Sequence, residues 1–180
     1  MVSVIIGKKL SGKTYTIKEF LAKSKKAAVI IDPNAEYDVP RRFMAMIDFE
    51  NAILNKEPLP NRIAFSLPGA EEGEDIFAWC WNLRPHILII DEFHLYSNPW
   101  SMPKSLQRIF RMGRHRGIDV IGVTHRFVDL NQIIITQCDG LVMFRQQGIR
   151  DIEAIEKVTD LSTAERVNQL RDHEKIEYRF

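Results

Sequence analysis

Apolar residues along this chain follow two rhythms. Short, nearly unbroken runs (VSVII at 2–6, AAVIID at 27–32, HILIIDEF at 86–93, IDVIGVTH at 118–125) alternate with stretches where apolar positions recur every three or four residues. Unbroken Ile/Val/Leu runs suit parallel strands covered on both faces, and the three-to-four recurrence suits amphipathic helices. In chain order the pattern predicts a strand at 2–6, a helix at 14–25 and a strand at 27–32. A weaker helix near 43–55, a strand at 62–68 and a helix near 72–83 follow. The strand at 86–93 is followed by a helix at about 103–114, a strand at 118–125, a short helix around 129–137 and a strand at 140–146. Beyond 147 come two helical stretches, the second with Ser162 and Glu165 spaced as a capping box, and a last strand, KIEYRF. Seven of the eight prolines, at 33, 40, 58, 60, 85, 99 and 103, fall outside strand centres. The alternation predicts an α/β three-layer domain with a mostly parallel central sheet.

Composition narrows the class. A length of 180 residues fits one domain, and 45% apolar with 27% charged residues is the balance of a water-soluble globular protein. A net charge of +1 excludes a domain-wide basic field, so any contact with nucleic acid must be local. No apolar run approaches the roughly 18 residues of a membrane span, and no signal-peptide pattern opens the chain. The expected setting is intracellular. Cys80 and Cys138 lack metal-ligand spacing and read as buried thiols, and the five histidines are too scattered for a zinc site.

The candidate chemistry begins where the first strand gives way to the first helix, in GKKLSGKTYTIKEF. Gly7 and Gly12 open backbone torsions closed to other residues, so that the N–H groups of Gly7, Lys8, Lys9, Leu10, Ser11, Gly12, Lys13, Thr14 and Tyr15 can line a phosphate chain. Lys13 supplies an ammonium to the β and γ phosphates, Thr14 a hydroxyl to Mg²⁺, and the helix N-terminus a positive dipole end. These are the parts of a P-loop that takes ATP and Mg²⁺. The strand at 86–93 ends in adjacent carboxylates. Asp91 is expected to hold the Mg²⁺ coordination sphere and Glu92 to polarise the water that attacks the γ phosphate, strand alternation sending the two in different directions. The next strand ends in Thr124 and His125, placed to sense the γ phosphate if it lies beside the Asp91 strand. Between them, the helix PKSLQRIFRMGRHRG turns Leu106, Ile109, Phe110 and Gly113 inward and Arg108, Arg111 and His115 elsewhere. Arg111, Arg114 and Arg116 are alternative candidates for an arginine finger acting on a neighbouring subunit's nucleotide. Arg114 and Arg116 are equally explained as complements of the helix dipole.

Taken in order, GKKLSGKT, IIDPNAEYD, ILIIDEFH and RMGRHRGIDVIGVTHR resemble the FtsK/HerA superfamily of ring-forming DNA-pumping ATPases over about residues 2–146. DPNAEY and GRHRGIDVIGVTHR are the discriminating parts, and His125 stands where members of that family often have glutamine. The resemblance implies a RecA/ASCE-like P-loop NTPase fold in a single domain with a C-terminal segment at 147–180. It implies Mg²⁺-dependent ATP hydrolysis coupled to movement of double-stranded DNA, in a homo-oligomeric ring of five or six subunits. The short chain is most similar to the genome-packaging ATPases of tailless, membrane-containing viruses. That implies capsid or membrane-vertex proteins as partners and the host cytoplasm or the virion as location. Asp32 and Glu36 then read as structural or intersubunit elements without a catalytic step. A small P-loop kinase is disfavoured by Glu92, and a guanine-nucleotide switch by the lack of an NKxD motif. A filamentous-phage assembly ATPase of the zonular-occludens-toxin kind is disfavoured by the lack of a membrane segment.

Overall fold

The computed structural model describes residues 1–67, 73–83 and 86–180. The elements are β1 (Val2–Ile6), α1 (Lys13–Lys23), β2 (Ala28–Ile31), β3 (Arg41–Phe43), α2 (Met46–Leu54), β4 (Arg62–Phe65) and α3 (Gly73–Asn82). They continue with β5 (Ile87–Ile90), α4 (Lys104–Met112), β6 (Asp119–Thr124), α5 (Gln132–Gln137), β7 (Gly140–Phe144), α6 (Ile149–Val158), α7 (Leu161–Gln169) and β8 (Lys175–Arg179). Short 3-10 turns at Phe93–Leu95, Gly113–Arg116 and Phe127–Asp129 link them.

Among the described residues the strands form one sheet in the order β3-β4-β2-β5-β6-β1-β7-β8, parallel except for the antiparallel edge strand β8. The apolar runs occupy its middle: every residue of β2 and β5 is buried, whereas β8 buries none of its residues fully. β6 lies between β1 and β5, in register with both (Val2 beside Val120, Leu88 beside Val120). The ends of β1, β5 and β6 therefore converge at one side of the sheet, with the strand that ends in Thr124 beside the Asp91 strand, as the sensor reading requires.

The two outer layers are unequal. One face carries α2 to α7 over a large core that includes Phe49, Phe77, Phe110, Ile134, Ile155 and Val167. The other face carries α1, through Ile17 and Leu21, and Tyr37 from the segment after β2. Burying each such Leu, Ile or Phe contributes about 1.5–3 kcal/mol, so the sheet is the main store of stability. In α4, Leu106, Ile109 and Phe110 are buried and Gly113 beyond it is too, as the spacing predicts. Both cysteines are buried and free.

Three local expectations need correction. The segment near 43–55 is not all helix, because Arg41–Phe43 pairs with β4 and Phe43 stacks on Phe65 with ring centroids 5.5 Å apart. This edge strand is guarded by charge, Arg41 pairing with Glu57 at 2.6 Å and Arg42 with the fully buried Asp32 at 2.8 Å. Helix α7 is not capped by Ser162. Asp160 caps it, one oxygen accepting from Thr163 N at 2.8 Å and the other from the Thr163 hydroxyl at 2.8 Å, so the helix starts one residue before that serine. The 129–137 segment divides into a 3-10 turn and α5, with Asn131 as N-cap accepting from Ile133 N. The expected start of α3 at 72, the end of the 62–68 strand and Pro85 lie outside the described residues.

Candidate active site

The 7–14 loop leaves β1 with Gly7 N donating to Thr124 O of β6 at 3.2 Å, and it enters α1 at Gly12. The two glycines serve different needs. Gly12 sits at φ 107°, a left-handed conformation that a side chain would strain. Gly7 is not left-handed. A Cβ there would stand 2.4 Å from Ser11 Oγ and 2.8 Å from Phe144 Cβ, so glycine is required by close approach and not by torsion as the sequence suggested. The left-handed turn in the first half of the loop is taken by Leu10, at φ 64°.

Lys13 is buried, its Nζ donating to Gly7 O at 2.7 Å and Lys8 O at 3.0 Å. Burial pulls its pKa below the usual lysine value, against an upward pull from Glu92, Asp91 and Glu36. Thr14 Oγ1 donates to Glu36 Oε2 at 2.8 Å. Glu36 is placed by the turn after β2: Asp32 accepts from Glu36 N and Tyr37 N at 2.9 and 3.0 Å, and Ala35 adopts φ 56°. Asp32 thus has the structural role the resemblance implied. Glu36 reaches the loop itself.

At the end of β5, Asp91 is buried and makes no ion pair among the described residues. Burial pushes its carboxyl up to about 6 despite the Glu92 N–H it accepts at 2.9 Å, and the charges of Glu92 and Glu36 push the same way. A buried carboxylate among like charges fits a divalent cation. Strand alternation does not separate Asp91 from Glu92, because the strand stops at Ile90. Glu92 takes a left-handed φ 47°, ψ 48° and opens the Phe93–Leu95 turn, which re-aims its side chain.

His125 joins the two halves of the site. Its Nδ1 lies 3.3 Å from Lys13 Nζ and 3.3 Å from Gly7 O, and its Nε2 lies 2.9–3.1 Å from the Glu92 carboxylate. An ammonium can only donate, so the Lys13 contact requires the neutral imidazole with its proton on Nε2, pointed at Glu92. A protonated ring would instead donate from Nδ1 to Gly7 O. The two arrangements exclude one another. Asn34 Nδ2 at 3.4 Å and His94 Nδ1 at 3.4 Å also hold Glu92. The hydroxyls of Ser11 and Thr124 are buried beside the loop with no hydrogen-bond partner among the described residues.

Arg111, Arg114 and Arg116 are not in this site. Arg111 lies in the last turn of α4 and Arg114 and Arg116 follow it, at the sheet edge where β6 begins, about 20 Å from its Thr124 end at ~3.3 Å per residue. Arg114 is paired with Asp139 at 2.6 Å, Arg116 lies over the Trp81 ring at 4.9 Å and Arg111 is exposed. None can reach the phosphates of its own chain. His173, by contrast, was not singled out in the sequence, and it borders the loop beside Gly12. Only the pairing of β8 on β7 brings it there, and no spacing motif announces that.

Neither a family model nor a curated protein matches this sequence. Solved structures do. The genome packaging NTPase B204 from Sulfolobus turreted icosahedral virus 2, in complex with ATP-gammaS, superposes with a TM-score of 0.82 at 23% identity, over 99% of this chain and 91% of that one. This chain shares its fold. VirB4 of Thermoanaerobacter pseudethanolicus gives 0.67 at 12% identity over 99% and 88% of the two chains. The N-terminal domain of zonular occludens toxin from Neisseria meningitidis gives 0.55 at 17% over 82% and 78%. The likeness to B204 includes the 147–180 segment, which the sequence resemblance left out. No helix among the described residues is long and apolar enough to cross a membrane.

Proposed function

We propose that this chain is an ATP-hydrolysing motor that drives double-stranded DNA into a viral capsid, working as a homo-oligomeric ring. The observation that carries the ATPase part is the contact chain Lys13–His125–Glu92, which links the phosphate-binding lysine to the carboxylate placed to activate water. The packaging part is supported by the likeness to B204 over nearly the whole of both chains.

In this reading the 7–14 loop binds the phosphate chain with its N–H groups and with Lys13, which exchanges the Gly7 and Lys8 carbonyls for phosphate oxygens. Thr14 and Asp91 would hold Mg²⁺, which would supply positive charge to offset the negative charge of the phosphates. Thr14 must first give up its bond to Glu36. Glu92 orients the attacking water and accepts its proton, and His125, holding its proton on Nε2, keeps that carboxylate aimed. When Lys13 turns to the γ phosphate, Nδ1 of His125 loses its donor. The imidazole then responds to nucleotide occupancy, and the Thr124–His125 end of β6 carries that response along the sheet.

Because Arg111, Arg114 and Arg116 lie at the far edge, a finger drawn from these three acts between subunits, and Arg114 must leave Asp139 to do so. The test is ATP turnover with and without double-stranded DNA, alongside a native mass of the assembly. DNA stimulation in a ring of five or six copies is expected. Turnover indifferent to DNA in a monomer would refute the motor.

A further inference from the structure

We infer that the turn between α7 and β8 forms one wall of a nucleobase site, in which His173 presents its ring to the base of a bound nucleoside triphosphate. This rests on the phosphate-binding reading of the 7–14 loop and extends it to a segment that reading does not use.

Strand pairing puts the turn there. Lys175 of β8 pairs with Phe144 of β7, and Phe144 is the buried ring on which both glycines rest, its Cδ2 3.2 Å from a Cβ built on Gly7 and its Cε1 3.3 Å from one on Gly12. The chain two residues before Lys175 therefore arrives beside the loop. His173 Nδ1 lies 3.6 Å from the same point on Gly12, and Asp172 pairs with Lys8 at 3.7 Å. The turn has a set shape, with Glu174 N donating to Arg171 O, Arg171 N donating to the Glu174 carboxylate, and His173 at φ 68°.

His173 shares one cavity of about 790 Å³ with Lys13, Thr14, Asp91, Glu92 and His125. That is within the range of small-molecule sites. The cavity has two chemically distinct ends. Toward β5 and β6 stand Asp91, Glu92 and His125, which suit the γ phosphate, a cation and water. On the β7 and β8 side of β1 stands His173, and Leu10 and Tyr15, 85% and 68% exposed, line the same cavity. These two contribute nothing to the core. Flat and apolar groups beside a phosphate loop suit the face of an aromatic base. A nucleotide laid across the loop with its γ phosphate at Glu92 points its base to His173.

The experiment measures Mg²⁺-dependent binding of a non-hydrolysable ATP analogue and of inorganic tripolyphosphate, by calorimetry, to the parent, His173→Ala, His173→Phe and Lys13→Ala. Loss of one aromatic–base stack is expected to weaken the analogue roughly five- to hundredfold in His173→Ala and to leave tripolyphosphate within about twofold. His173→Phe, which keeps a stacking face, restores most of the analogue affinity. Equal weakening of both ligands in His173→Ala, or of neither, overturns the base wall while leaving the phosphate site intact. A parent that binds neither ligand, or a Lys13→Ala protein that binds both normally, overturns the phosphate reading and the base wall with it.

Discussion

Replacing Asp91 with asparagine is expected to make the nucleotide-free protein more stable and the loaded protein less so. Asp91 is 5% exposed, makes no ion pair among the described residues and shares the site with Glu36 and Glu92. Folding raises its pKa from 3.8 to about 6, so the folded state binds this proton more tightly than the unfolded state does. At about 1.4 kcal/mol per pH unit, the ionised carboxylate costs the folded state about 3 kcal/mol at neutral pH. The cost falls as pH drops from 6 toward 3.8 and is absent below that. Asparagine keeps the shape and can still accept the Glu92 N–H. Thermal unfolding in EDTA should therefore give Asp91→Asn a melting temperature higher by roughly 6–12 °C at pH 7.5 for a chain of this size, a gain that shrinks toward zero near pH 4. With Mg²⁺ and a nucleotide analogue, the order should reverse as the parent gains a bound cation that the variant holds poorly. A gain that does not change with pH, or a variant less stable in EDTA at pH 7.5, would refute the account of Asp91 as a carboxylate held ready for a cation.

Three further outcomes are expected. Glu92→Gln keeps nucleotide binding and slows hydrolysis by about 10²–10⁴, read in single-turnover assays; turnover at the parent rate would place the base elsewhere. Lys13→Ala folds, since its ammonium serves loop carbonyls and not the apolar core, but loses nucleotide binding in calorimetry; near-normal ATPase would sink the phosphate-loop assignment. Mixing inactive Lys13→Ala with inactive Arg114→Ala in one assembly restores part of the activity, because adjacent chains recreate intact sites. If mixed assemblies with the Arg111, Arg114 and Arg116 variants all stay dead, these arginines are left as dipole complements of α4.

What could be read from the sequence follows the range of the interactions involved. Strands such as AVII and ILII announce themselves because burial on both faces demands an unbroken apolar run. The 7–14 loop and the Asp91–Glu92 pair are local words in the chain. β3 was hidden because RRF carries two arginines, and its place depends on β4, some twenty residues away. The Asp160 cap was hidden because a serine two residues on offered the same spacing. The left-handed turn at Glu92 has no local signal, since glutamate is a poor residue for that conformation. The contact of His125 with both Lys13 and Glu92 needed the order β5-β6-β1, and the nearness of His173 needed the register of β8 on β7.

The floor beneath the loop has a consequence for how the sequence can change. Gly7 is held to glycine by the bulk of Phe144 and the Ser11 hydroxyl, and a Cβ added at Gly12 would stand 3.3 Å from the same phenyl ring. The identities at 7 and 144 are therefore not independent choices, although one follows the first strand and the other ends the seventh. A smaller residue at 144 would leave room for alanine at 7 only if the Ser11 hydroxyl also turned aside, and the loop would then settle into the space. A larger one would lift the loop away from Glu92 and His125. Related sequences are thus expected to vary at these two positions jointly, and a transplanted phosphate loop would keep its height only if Phe144 travelled with it.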